Sequence, residues 1–297
     1  MMKSQSAMEY LMTYGWAILV IAVVLAALYS LGIFNPNTFA PKASAGSCEV
    51  IRPFGPTTTT DVHLEGTCTN MLPKYVASFN GNNGYIYSNI TILPKGKQPR
   101  TVIAWFYLTA EPSTSNGQSA IFAYGTANTC DETFWTSVTT PSATCDNSEL
   151  FIDNWCTCQS FPNVPKVSLD RWYFIADEYN GTYQIGYLSN KGSIIPINSE
   201  QLGVNTGKSL FYIGYWTVRG YFPGLIANVQ IYNKALSANQ ITALYQEGIG
   251  GDPIDLSHLV AWYPLNGNAN DYSGNNYNGK ATNVGYSSTW YKTYSAP

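Results

Sequence analysis

The polarity of the chain is broken at its start. Residues 10–41 contain no Asp, Glu, Lys, Arg or His, and 16–29 are almost wholly apolar. The stretch 12–34 is long enough, at about 1.5 Å rise per residue, to cross a hydrocarbon layer about 30 Å thick as a helix. Pro36 and Pro41 then end the helix. A cleaved secretory signal is the rival reading, but its apolar part usually runs only about 7–15 residues. Residues 5–35 are therefore expected to be a retained transmembrane helix. Lys3 ahead of it favours an internal N-terminus, so the head is expected outside the cell membrane, at the cell surface.

Beyond the helix, residues 36–72 are rich in Pro, Thr, Ser and Gly and read as a stalk with a small hairpin. From 73 the pattern becomes short strands separated by turn residues. Residues 75–79 end at Asn80-Gly81, and 101–108 form a strong strand candidate. Residues 171–176 and 183–188 flank Asn180-Gly181, a hairpin turn that needs positive φ. Residues 225–232 alternate, which would place Leu225, Ala227, Val229 and Ile231 on one face. One late helix is expected: Ser237 caps it, Ile241, Leu244 and Tyr245 share a stripe, and Gly248 stops it. Many short strands and one short helix predict an all-β antiparallel sandwich of two sheets.

Composition sharpens the picture. Charged residues are 11% of the 297 and the net charge is −3, so no basic field exists to hold nucleic acid. The 23 Tyr, 12 Phe and 8 Trp suit pleated strands and amphipathic contact surfaces. The six cysteines, Cys48, Cys68, Cys130, Cys145, Cys156 and Cys158, read as disulfides in an extracellular chain. Proximity suggests Cys48 with Cys68, because Pro53, Gly55 and Pro56 can turn the chain between them. Cys156 and Cys158 are too close to bond each other without strain and are better matched to Cys130 and Cys145. Asn89 and Asn180 each open a glycosylation triplet.

Catalytic chemistry is hard to find. Asp131-Glu132 and Asp177-Glu178 are neighbours, and neighbours on a strand face opposite ways, so neither makes an acid–nucleophile pair. No enzyme is expected, and no cofactor is required. Asp271 and Asn275 lie in a Gly/Asn-rich loop whose oxygens are candidate Ca²⁺ ligands, with simple turn chemistry as the rival. Tyr215, Trp216 and Tyr221, near Arg219, are candidates for a sugar-stacking surface, with core packing as the rival.

Two resemblances extend this reading. Lys3-Ser4-Gln5-Ser6-Ala7-Met8-Glu9-Tyr10-Leu11, followed by Tyr14-Gly15-Trp16, resembles the archaeal class III signal peptide of type IV pilin-like proteins. It implies that a prepilin peptidase cuts between Ser4 and Gln5, removing residues 1–4 as a leader and leaving the helix in membrane lipid. It also implies that Glu9 meets the N-terminal amine of an identical subunit in a filament, which would place the head on a pilus. A carboxylate at the bilayer edge is costly alone and tolerable when paired.

The second resemblance covers 73–250. Phe79-Asn80-Gly81, Gly84-Tyr85-Ile86, residues 101–106, the Trp172 hairpin and residues 222–237 are similar to the laminin-G-like, concanavalin A-like jellyroll, with 241–245 as its closing helix. That resemblance implies a sandwich used to bind sugars or proteins, sometimes with calcium. The cysteine-bearing insertion at 128–160 lies outside the pattern. Residues 259–267 and 271–279 look like the opening of the same domain, yet stand at the end. A piece below about 40 residues rarely holds a core alone. The tail, 251–297, is therefore expected to complete the sandwich by pairing 259–265 with 225–232, as in a circular permutation. Exchange into a neighbouring subunit and a loose tail are the alternatives. The expected function is a pilin-like surface adhesin whose lectin-like head binds a glycan or protein. The alternatives are a structural filament or coat subunit and, behind it, an anchored glycan hydrolase.

Overall fold

The computed structural model describes residues 5–30, 42–43, 46–69, 71–112, 117–127, 132–140, 151–153, 166–201 and 204–294. Ser4, Cys130, Cys145, Cys156 and Cys158 lie outside the described residues, as do the side chains of Gln5 and Glu9. The chain divides into two compact units, Met1–Pro41 and Lys42–Pro297.

The first unit contains a 26-residue helix, Gln5–Ser30. Over 14–27, where its side chains are described, every residue is exposed, Trp16, Ile18, Leu19, Ile21 and Val23 among them. Among the described residues no helix is long and apolar enough to cross a membrane.

The second unit is an antiparallel sandwich. One sheet has six strands, in the order Phe151–Asp153, Thr133–Thr139, Gln118–Gly125, Phe211–Ile213, Tyr85–Ser88 and Lys280–Thr282. The other has eight. Its path runs Ser193–Gln201, Tyr183–Asn190, Trp172–Tyr179, Arg100–Leu108, Pro223–Tyr232, Val76–Asn80 and Gly285–Ser287, with Leu259–Tyr263 also paired to Pro223–Tyr232. Between the sheets lie Phe79, Phe106, Phe122, Phe134, Phe211 and Phe222, all buried. Alternation along each strand puts these rings inward and their neighbours outward. Gly181 has φ +100° in the turn between the paired strands Trp172–Tyr179 and Tyr183–Asn190.

The strand Pro223–Tyr232 organises the larger sheet. Along one edge its first half pairs with Val76–Asn80 and its second half with Leu259–Tyr263. The handover falls at a bulge between Ala227 and Gln230. Asn228 sits there at φ +48°, a conformation Asn tolerates better than most residues. Its amide donates to Gly251 O and accepts from the Trp262 indole at 2.8 Å. The bulge overturns the simple alternation expected for this strand. Ile226, Val229 and Ile231 share the core, while Leu225 is only half-buried. An extra residue on one strand reverses which parity faces inward.

The tail supplies Leu259–Tyr263, in which every residue is buried, with Val229 opposite Tyr263 and Ile231 opposite Ala261. The hairpin of Cys48–Ile51 with His63–Gly66 is closed by the Cys48–Cys68 disulfide, whose Cα atoms are 4.9 Å apart. Such a loop contributes about 3 kcal/mol in the chain-entropy picture. The hairpin is docked on the tail and does not stand free as a stalk. Val50 N donates to Tyr272 O, and the Arg52 guanidinium donates to the carbonyls of Leu256, Leu259 and Ser273. Four backbone carbonyls of the tail thus accept hydrogen bonds from the hairpin, in keeping with the rule that buried polar groups are paired.

The helix Ala238–Gln246 begins with a capping box between Ser237 and Gln240, buries Ile241, Leu244 and Tyr245, and is followed by Gly248 at φ +81°. With the turn Trp290–Thr293 it covers the outer face of the larger sheet. There Trp105 stacks on Tyr245 with centroids 5.7 Å apart, and Trp172 meets Trp290 edge-on at 6.2 Å.

Candidate functional site

The outer face of the six-stranded sheet carries a groove of about 430 Å³ lined by five tyrosines, Tyr85, Tyr87, Tyr212, Tyr215 and Tyr221. Its construction follows from strand alternation. Ile86 and Ser88 are buried, so Tyr85 and Tyr87 share the opposite face. Phe211 and Ile213 enter the core, so Tyr212 points outward and stands in register with Tyr87. At Gly214, φ +76°, the chain turns sharply; a Cβ there would sit 2.3 Å from the Phe79 ring. Only glycine fits both conditions. The turn delivers the two-residue ladder of Tyr215–Trp216 with Gly220–Tyr221.

Tyr215 and Tyr221 are directly opposed and stack at 4.5 Å between centroids, 25° between planes. Tyr85 lies 5.4 Å from Tyr215 and 6.3 Å from Tyr212, and Tyr87 lies 6.3 Å from Tyr212. The Lys280 ammonium is 6.0 Å from the Tyr87 ring centre, within cation–π range. All five tyrosines are half-buried. Burial pushes the Tyr212 and Tyr215 phenols above their ordinary range, so both stay neutral at pH 7 and can donate as well as accept. The groove therefore offers flat apolar faces rimmed with hydroxyls.

Of the three sequence candidates for a stacking surface, Tyr215 and Tyr221 line this groove. Trp216 does not. It is 2% exposed and packs against Ala120, Ala123 and Trp135, because alternation turns it away from its neighbour Tyr215. Arg219 rests over the Trp135 ring at 4.6 Å. Tyr85, Tyr87 and Tyr212 were missed. Their signal was tyrosine at alternate positions of 85–87 and between two core residues at 212.

In the candidate calcium loop the side-chain oxygens take part in loop hydrogen bonds. Asp271 is 7% exposed, and both its oxygens are occupied. One accepts from Trp262 N and Ser273 N, the other from Ser273 Oγ and Tyr277 N, each at 2.9 Å. Asn275 accepts from Thr57 N at 2.7 Å and donates to Leu259 O and Val260 O. These side chains hold the tail loop to the sheet and the hairpin. Burial raises the Asp271 carboxyl above the usual carboxylate range. Among the described residues no group of three or more His, Cys, Asp or Glu side chains is placed to hold a metal ion.

Asp177 and Glu178 leave opposite faces of their strand. Asp177 lies in the interior, accepting from Gln184 Nε2 and Thr136 Oγ1. Glu178, 4% exposed, lies beside Tyr187, and burial pushes its carboxyl up to about 7. Asn89 and Asn180 are both exposed, and Asn180 Oδ1 accepts from Thr182 N and Tyr183 N within its turn.

Residues 80–242 match the model of the concanavalin A-like lectin/glucanases superfamily. Among solved structures, the chain is similar to a Bacteroides ovatus protein assigned a carbohydrate-binding role, at 16% identity and a TM-score of 0.52, covering 76% of this chain and 66% of that one. It thus spans just under two thirds of that relative's length. It is also similar to a heptameric SAP-like pentraxin from Limulus polyphemus, at 19% identity, TM-score 0.42 and coverage of 57% and 81%. A third is domain 4 of an extracellular arabinanase from Geobacillus stearothermophilus, solved with arabinotriose, at 20% identity, TM-score 0.40 and coverage of 57% and 75%. No curated protein matches. The two facing antiparallel sheets, the late capped helix and the matched span agree: the chain belongs to the concanavalin A-like lectin/glucanases superfamily.

Proposed function

We propose that this protein is a membrane-anchored surface protein whose head binds glycans in the tyrosine groove. The observation that carries the reading is the open cluster of five tyrosines, with Tyr215 and Tyr221 stacked at 4.5 Å. Sugars present apolar C–H faces edged with hydroxyls, and the groove presents aromatic faces edged with neutral phenols. The carbohydrate-binding role assigned to the Bacteroides ovatus relative supports the same ligand class. The head acts by binding and not by hydrolysis; the separation of Asp177 from Glu178 across the sheet supports that view.

The test is a glycan array followed by calorimetry on the full chain in mild detergent. For any glycan bound, Tyr215→Ala and Tyr221→Ala should each remove roughly 1–2 kcal/mol, a five- to thirtyfold loss of affinity. Unchanged affinity in the double variant would overturn the groove as the site. A head that binds nothing on the array, in a chain that assembles into filaments, selects the coat-subunit reading instead.

Anchoring rests on the helix Gln5–Ser30 and the leader motif. Residues 1–4 are removed by a prepilin peptidase, the helix stays in the lipid, and Glu9 pairs with the amine of an identical subunit. In the native host, the protein should stay with membranes through an alkaline wash, and its mature chain should begin at Gln5. A mature chain that starts beyond Phe34 would remove the anchor.

A further inference from the structure

The larger sheet carries a second cavity, unrelated to the tyrosine groove. It has a volume of about 210 Å³ and is lined by Trp105, Arg171, Trp172, Ser189, Lys191 and Tyr245, with Gly192 and Thr293 at its edge. Its walls are aromatic: Trp105 stacks on Tyr245, and Trp172 is held edge-on by Trp290. Its polar side chains are two cations, two indoles and three hydroxyls, with no carboxylate among them. Trp105 is 2% exposed, yet its indole N–H has no hydrogen-bond partner among the described residues. Ser189 Oγ accepts from Phe174 N at 2.8 Å, and its own proton has no acceptor among the described residues. Arg171 and Lys191 are exposed, and neither meets a carboxylate within ion-pair distance among the described residues. Arg171 rests over the Tyr173 ring at 5.3 Å, and its charge reaches Tyr245.

A buried donor left without an acceptor is costly, on the order of 1–3 kcal/mol, and such exceptions in native structures call for an explanation. Here the residues that line one aromatic-walled cavity include two with an unspent donor and two cations that meet no carboxylate among the described residues. The complementary ligand is rich in acceptors, negatively charged and flat-faced. It is also small, since the volume falls below that of a drug-sized pocket. Inorganic phosphate would use the cations and ignore the rings; a neutral sugar would use the rings and ignore the cations.

We propose that this cavity binds a single carboxylate-bearing sugar residue of a glycan. The carboxylate is held by Arg171 and Lys191, the ring lies on the aromatic wall, and its oxygens accept from Trp105 and Ser189. The site is independent of the tyrosine groove, so the head has two glycan contacts on opposite sheets.

The full chain in mild detergent is titrated with glucuronic acid, galacturonic acid and N-acetylneuraminic acid, with glucose and galactose as neutral parents, and with inorganic phosphate. Calorimetry and tryptophan fluorescence follow binding. At least one acidic sugar should bind saturably and at least tenfold more tightly than its neutral parent. Arg171→Gln and Lys191→Ala, both surface changes, should each weaken it about tenfold. Trp105→Phe, which keeps the stack and removes the N–H, should weaken it as well. The Tyr215→Ala/Tyr221→Ala double variant should bind it unchanged, which separates this site from the groove. No binding of any acidic sugar overturns the proposal. So does equal binding of acid and neutral parent, phosphate binding as tight as the sugars, or full affinity in the Arg171→Gln/Lys191→Ala double variant.

Discussion

Removal of residues 257–297 should abolish the folded head. The deletion takes away Leu259, Val260, Trp262, Tyr263 and Leu265, all 3% exposed or less. At roughly 1.5–3 kcal/mol for each large apolar side chain buried, their loss is about 10 kcal/mol, comparable to the roughly 5–15 kcal/mol that holds a domain together. It also leaves the second half of Pro223–Tyr232 as an unpaired edge, a site for aggregation. The truncated chain should enter inclusion bodies and show no cooperative thermal transition by circular dichroism. A milder version is Trp262→Ala, which empties a fully buried site and leaves Asn228 Oδ1 with Gln230 Nε2 as its remaining donor. It should lower stability by about 3–5 kcal/mol in urea unfolding. A truncated chain with the parent's melting temperature would show that the tail is an appendage.

The second large effect is expected at Asp271. Asp271→Ala leaves three backbone N–H groups and one hydroxyl without their acceptor in a buried loop. Each lost partner exposes a desolvation penalty of about 1–3 kcal/mol, partly relieved by water. A total near 4 kcal/mol is expected, read as a fall in the urea midpoint at unchanged slope. Asp271→Asn should fall between, since an amide offers one acceptor oxygen. Because the carboxylate is already filled by protein donors, neither Ca²⁺ nor a chelator should move the melting temperature of the parent chain. A calcium-dependent rise of several degrees would favour the metal reading over turn chemistry.

Much of this fold was legible in the chain, and its local character explains why. The Ser237 cap and the Ile241, Leu244, Tyr245 stripe involve residues a few positions apart. So do the Asn180-Gly181 turn and the Cys48–Cys68 pair, and local geometry is what periodicity and turn chemistry report. The pairing of 259–263 with the closing strand was reachable because its motif was complete but stood at the wrong end of the chain. The candidate site was less legible. Two of its five tyrosines were identified, along with one tryptophan that is buried against Ala120, Ala123 and Trp135. A stacked aromatic and a core aromatic look alike until the face of the strand is known.

The hydrophobic pattern alone determined that this chain has an apolar N-terminal helix and a head of many short antiparallel strands closed by one capped helix. Tertiary structure decided which faces those strands show and which distant segments meet. One bulge at Asn228 reverses the inward parity of a central strand and hands its edge from Val76–Asn80 to Leu259–Tyr263. Docking of the disulfide-closed hairpin onto the tail depends on Arg52 reaching carbonyls more than 200 positions away. The tyrosine groove gathers side chains from 85 to 221. Register and bulges settle such meetings through long-range hydrogen bonding, and a side-chain period of two carries no record of them.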